Sequence, residues 1–125
     1  MSKSIFINIP VKDEAATRKF YKALGFNINE QGFVVIDERI ILMPVDEDFF
    51  KQTTEREIAD TKTVREMSLA IQVANREEVD TIIDAGVAAG GKEEGEIVEE
   101  AAIGMYSRGL SDIDGHRFNI LCMTV

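Results

Sequence analysis

Two stretches of this chain are written to one pattern. "IFINIPVKD" at 5–13 and "LAIQVANRE" at 69–77 each alternate apolar residues and then bring in a helix-starting side chain, Asp13 in one and Asn75 in the other. With a shift from position 7 to 69, Leu69, Ile71 and Val73 stand where Ile7, Ile9 and Val11 stand. A period-two run rich in β-branched residues is a strand with one well-buried face. A chain that follows such a strand with a capped helix, and does so twice, builds two similar units, each with a helix on one side of a sheet.

In the first copy Ile5, Ile7, Ile9 and Val11 share one side of the strand, and Phe6, Asn8 and Pro10 the other. Pro10 cannot donate to a ladder and is expected near a strand end or on an edge. Ala16, Phe20, Ala23 and Leu24 recur at helical spacing and Gly25 supplies the stop, so a helix is expected at about 14–24. In the second copy Glu78 follows Asn75 at a capping-box spacing, and Val79, Ile82, Ile83 and Gly86 form one helical face. Glycine inside a helix costs about 1 kcal/mol relative to alanine, so Gly86 is expected to mark close packing. Hairpins follow. Their strands are expected at 32–36 and 39–43 around Asp37-Glu38, and at 105–110 and 116–124 around 112–115, with weaker strands near 26–30 and 96–100.

Each half therefore reads β-α-β-β-β. The expected class is α+β: two βαβββ modules in tandem, about 4–45 and about 66–125, each a mixed sheet with its helix on one face, within a single domain, 1–125. Residues 46–65 join them. Within this linker Asp48 to Ile58 allows a short helix capped by Thr54. Phe49 and Phe50 either plug the core or form a lid over a pocket.

The 125 residues are 45% hydrophobic and 30% charged, which suits a folded domain with a real core. Fourteen Lys+Arg against 23 Asp+Glu give a net charge of −9, which speaks against nucleic acid and anionic membrane surfaces as partners. No apolar run approaches the roughly 20 residues of a membrane span. The acidic stretches at 46–48 and 93–96 read as solvated loops. A single cysteine, Cys122, and a start without a signal-peptide pattern lead us to expect the reducing cytoplasm.

The stretches "IFINIPVKDEAATRKFYKALGF" at 5–26 and "RGLSDIDGHRFNIL" at 108–121 resemble the vicinal oxygen chelate superfamily, the group of glyoxalase I, the bleomycin-resistance proteins and the extradiol dioxygenases. The resemblance implies that the curled mixed sheets of the two modules surround a cleft, usually completed in a homodimer. In the metal enzymes of the group it implies a divalent ion held by one residue from the first and one from the last strand of each module, acting as a Lewis acid. The implied positions fall here on Phe6, Ser68, Asn119 and either Ile41 or Met43. Such a site needs imidazole or carboxylate, so no metal and no cofactor is expected.

Other candidate chemistry is sparse. His116, the only histidine, is a possible ligand or acid–base group, but the resemblance puts it in a turn where its ring bonds backbone. Cys122 has the parity of an apolar face and no activating neighbour. Ser68 and Ser107 lack a base in a recognisable motif. Gly90-Gly91-Lys92 follows a helix rather than a strand and is no phosphate loop. Asp112 and Asp114 are expected to hold backbone N–H groups in a tight turn.

Strand parity leaves Phe6, Asn8, Met43, Ser68, Gln72, Asn119 and Leu121, with Tyr106, to line the cleft. That is an apolar wall with a few placed amides, as small organic ligands require, unless the cleft closes on itself as a second core with its amides paired internally. The expected function is metal-independent binding of a small organic molecule, in the manner of the drug-sequestering resistance proteins. The alternatives are a metal-dependent glyoxalase-I-like lyase and a non-enzymatic dimeric interaction domain.

Overall fold

A computed structural model of the protein describes residues 2–100 and 102–123. The chain divides into two compact units, Met1–Asp60 and Thr61–Val125, and the boundary falls inside the stretch expected to join the modules.

The first unit holds β1 (Ile5–Val11), α1 (Glu14–Ala23), β2 (Asn27–Ile28), β3 (Val34–Asp37), β4 (Ile40–Asp46) and α2 (Glu47–Thr54). Its sheet runs β1-β4-β3-β2, with β1 parallel to β4 and the other pairs antiparallel. The second unit holds β5 (Ser68–Gln72), α3 (Arg76–Ala88), β6 (Lys92–Glu93), β7 (Val98–Glu100), β8 (Met105–Ser111) and β9 (Arg117–Met123). Its sheet runs β5-β9-β8-β6, with β7 also on β8 and β5 parallel to β9. Each unit thus pairs its first strand in parallel with its last. The architecture is the α+β arrangement of open sheets and helices that the repeat foretold.

The capping residues act as the sequence indicates. Asp13 accepts from the Ala16 N–H at 3.1 Å, and Asn75 from the Glu78 N–H at 2.9 Å. Glu78 returns a carboxylate oxygen to the Ala74 N–H at 3.0 Å, closing a variant capping box. On α3 the buried residues are Val79, Ile82, Ile83 and Gly86, the face read from the sequence. A β-carbon on Gly86 would lie 2.5 Å from Leu110 Cδ2, so the helix approaches β8 closely there.

Three expectations need correction. The face of α1 is Thr17, Phe20, Tyr21 and Leu24, not the set containing Ala23, which is exposed. Thr17 is buried with its hydroxyl on the Asp13 carbonyl, so a polar-looking residue belongs to the core. The linker helix runs Glu47–Thr54 and is capped by Asp46, which accepts from the Phe49 N–H at 2.9 Å; Thr54 ends it rather than starting it. Phe49 is 54% exposed and α2 has no buried residue, so the pair does not plug the core. Finally, β4 continues past Met43 to Asp46. Beyond Leu42 it has only β1 beside it, so Pro44 breaks no two-sided ladder. None of the helices in the described residues is long and apolar enough to cross a membrane.

Candidate functional site

The helices α1 and α3 cover one face of their own sheets, and most of the strand residues expected to be functional lie on the other. In the first unit the parallel register sets Phe6 beside Ile41 and Asn8 beside Met43. Phe6 is 56% exposed and Asn8 is exposed, while Ile9 and Val11 are buried. A hollow of about 360 Å³ opens beside Phe6, Ile41 and Phe33, with Asn29 and Glu38 on its polar side. Asn29 shapes that loop, its Oδ1 accepting from the N–H groups of Gln31 and Phe33 at 3.0 Å each.

In the second unit β9 pairs with both β5 and β8. Ser68 stands beside Arg117, Ala70 beside Asn119, and Gln72 beside Leu121. On the other side Ser111, Gly109 and Ser107 stand beside the same three residues of β9. These residues share the face turned from α3, because the alternate positions Phe118, Ile120 and Cys122 are buried against the helix side. The register also settles which residue of β4 corresponds to Asn119. Ala70 corresponds to Asn8 in the repeat; Ala70 pairs with Asn119 and Asn8 with Met43, so the counterpart is Met43.

Ser68 and Asn119 come together directly: Asn119 Nδ2 donates to Ser68 Oγ at 3.2 Å. The amide is oriented by a residue that parity alone did not single out. Arg117 Nη2 donates to Asn119 Oδ1 at 3.0 Å. Two residues apart on one strand face, these side chains lie close enough for the longer to reach the shorter. Gln72 and Leu121 adjoin this cluster, and Gln72 is exposed.

Tyr106 does not join them. It stands opposite Cys122, on the α3 side, and is 5% exposed. Its hydroxyl donates to Asp80 at 2.6 Å, and the Arg76 guanidinium sits 4.0 Å from the ring centroid. Next to it Arg108 reaches Asp80 and Glu93 at 2.8 Å and Asp84 at 3.2 Å. Asp80 is held below the usual carboxylate range by the Tyr106 and Arg108 hydrogen bonds, and Glu93 by Arg108. Burial, with the bond to Asp80, pushes the Tyr106 hydroxyl up. This network joins α3 to β8 and β6. The alternation of Tyr106 with Leu110 along β8 was the available signal that both face the helix.

The turn before β9 is a backbone device. Asp112 Oδ1 accepts from the N–H groups of Asp114 and His116, each at 2.9 Å, and Asp112 is 4% exposed. Thr61 and Arg65 brace this turn through the carbonyls of Asp114 and Gly115. Cys122 is fully buried.

A divalent ion does not fit the positions that the resemblance implies. Phe6 and Met43 offer no hard donor, and Ser68 and Asn119 are bonded to each other. The best of the four donors, Asn119 Oδ1, already accepts from a guanidinium, whose positive charge opposes a cation at that atom. Among the described residues no group of three or more His, Cys, Asp or Glu side chains could hold a metal ion.

Residues 3–37 match a family model described as the bleomycin resistance protein-like N-terminal region. Among solved structures, a hypothetical protein from S. aureus, SA1046, is 29% identical with a TM-score of 0.78, over 98% of this chain and 95% of that one. A glyoxalase/bleomycin resistance protein/dioxygenase family enzyme from Burkholderia phytofirmans PsJN is 18% identical with a TM-score of 0.80, over 98% and 99%. A glyoxalase-related enzyme from Fulvimarina pelagi is 20% identical with a TM-score of 0.79, over 98% and 88%. No curated protein matches the chain. The chain therefore shares the fold of these glyoxalase/bleomycin resistance protein/dioxygenase structures, and its likeness to the bleomycin resistance protein-like family model spans residues 3–37.

Proposed function

We propose that this protein binds a small organic molecule without a resident metal ion, on sheet faces turned from the helices. One observation carries the reading: Asn119 is clamped between the Arg117 guanidinium and the Ser68 hydroxyl. A residue in the place where the metal enzymes of the superfamily keep a ligand here orders an organic recognition surface instead. The hollow beside Phe6 supports the same reading, since its volume lies at the lower end of small-molecule sites. In the same proposal the working form is a cytoplasmic homodimer, and the exposed Ile5 and Phe6 on the edge strand β1 are apolar surface suited to a second copy.

The test is a thermal-shift screen of small aromatic and amphiphilic compounds, run with and without a chelator. A ligand at about 100 times its Kd contributes about 2.7 kcal/mol, which raises the midpoint by several degrees. The expected shift survives chelation, and elemental analysis finds less than about one tenth of a divalent ion per chain. Stoichiometric metal, or ligand binding that vanishes with chelator, would return the lyase reading to first place.

A further inference from the structure

The second unit has four arginines, and three of them have carboxylate partners: Arg65 with Glu94, Arg76 with Glu99, and Arg108 with Asp80, Asp84 and Glu93. Among the described residues Arg117 has none. The chain has 23 acidic against 14 basic residues, so the exception does not come from a shortage of carboxylates. Glu94, whose carbonyl crowds the same β-carbon position at Gly109 as Arg117 Nη2, has its carboxylate bonded to Arg65 and to the Ser111 hydroxyl.

The unneutralised group is held in place. Arg117 lies from β9 across β8, over Gly109, toward the chain at Gly95. A β-carbon on Gly109 would collide with Arg117 Nη2 and with the Glu94 carbonyl, and one on Gly95 would come within 2.9 Å of the same nitrogen. Asn119 fixes the end of the fork. Arg117 Nε is buried with no acceptor among the described residues. An unanswered donor on a charged group is costly. The strand backbone at Gly109 lies directly beneath the guanidinium.

We propose that Arg117 is the anchor for a carboxylate carried by the small organic ligand, which deepens the small-molecule reading above and rests on it. A planar fork of donors matches a carboxylate, and a single cation suits a monoanion better than a phosphate in so acidic a chain. The rest of the ligand follows from β9. Leu121 and Met123 continue the face that begins with Arg117 and Asn119, in steps of about 7 Å. The surface therefore passes from cation to amide to aliphatic, and it fits an apolar body bearing one carboxylate. Asn119 is a positioning residue for the guanidinium.

The experiment titrates two matched pairs, benzoate with benzamide and 2-naphthoate with 2-naphthamide, into ¹⁵N-labelled protein. The side-chain Nε–Hε signal of Arg117 and the amide of Leu121 are followed. The acids are expected to bind about tenfold tighter than their amides and to move the Arg117 signal, as a charge-assisted bond does relative to a neutral one. Asn119→Asp gives Arg117 an internal carboxylate with almost no change in shape, and the acid-to-amide affinity ratio falls to about one. Arg117→Lys keeps the charge without the fork and retains part of the ratio. Acids and amides binding alike in the native protein, or a ratio untouched by Asn119→Asp, overturns the carboxylate anchor and leaves small-molecule binding standing. If none of the four compounds moves a resonance on this face, both readings are overturned.

Discussion

At Arg108 a single side chain decides how α3 sits on its sheet. The guanidinium is 12% exposed and meets three carboxylates, whose own exposures run from 32% to 71%. Replacing Arg108 by Met keeps the apolar stem but leaves Asp80, Asp84 and Glu93 facing one another. Breaking a fully buried pair costs 3–5 kcal/mol; with these partners partly in water we expect about 2–3 kcal/mol, read from urea unfolding. Tyr106→Phe removes only one hydrogen bond to Asp80 and should cost about 1 kcal/mol. Equal losses in the two variants would mean that Arg108 acts through packing and not charge. Neither Arg108 nor Arg117 was legible as a placed residue in the sequence. An arginine in a strand reads as solvent-facing, and only the pairing register shows one against α3 and the other across Gly109.

Elements were more legible than residues, and the reasons differ from one to the next. The first strand of each unit and α3 could be read because alternation or helical spacing, cap and stop agree with one another. The face of α1 was misread because Thr17 and Tyr21 look polar, although each has less than 2% of its surface exposed. The start of α2 was missed because Asp46, Glu47 and Asp48 look like a solvated acidic run; they are a cap followed by two acidic residues in the first turn, which favour the helix N-terminus. Asp46→Ala should therefore cost about 1 kcal/mol and loosen α2, seen as faster amide exchange over 47–54. At Gly86 helix propensity and packing disagree. Alanine gains about 1 kcal/mol as a helix former. It also drives a methyl into Leu110, which is 1% exposed, and such overpacking typically costs about 1–3 kcal/mol. We expect packing to win and Gly86→Ala to lower the unfolding midpoint. The double variant Gly86→Ala/Leu110→Ala should be less destabilised than the sum of its parts. Additive losses would show that the close approach does not govern the glycine.

For the molecule as a whole, acid sets two effects against each other. Net charge is −9 at pH 7 and reaches zero near pH 4.6, so lowering the pH toward that point relieves self-repulsion. Asp80 and Glu93 act in the opposite sense. Their folded-state proton affinities are depressed, so the stability they contribute is present above the ordinary carboxylate range, about pH 4, and is lost as pH falls through their lower folded values. Tyr106 supplies the alkaline counterpart. Its proton is held more tightly in the folded state, so its contribution is present below about pH 10 and lost as pH rises above it. Arg108 keeps its charge throughout, because the hydrogen bonds it donates to Glu93 and Asp80 raise its proton affinity further. The protein should therefore be most stable between about pH 5 and 7 and lose stability steeply below about pH 4. Calorimetry across this range on the native protein and on Arg108→Met separates the two effects. The gap between their midpoints should be widest near neutrality and close as pH falls well below the ordinary carboxylate range, about pH 4, because protonated Asp80 and Glu93 no longer repel each other in the variant or hold Arg108 in the native chain. A gap that stayed constant through that fall would show that general charge, and not this network, governs the acid limb.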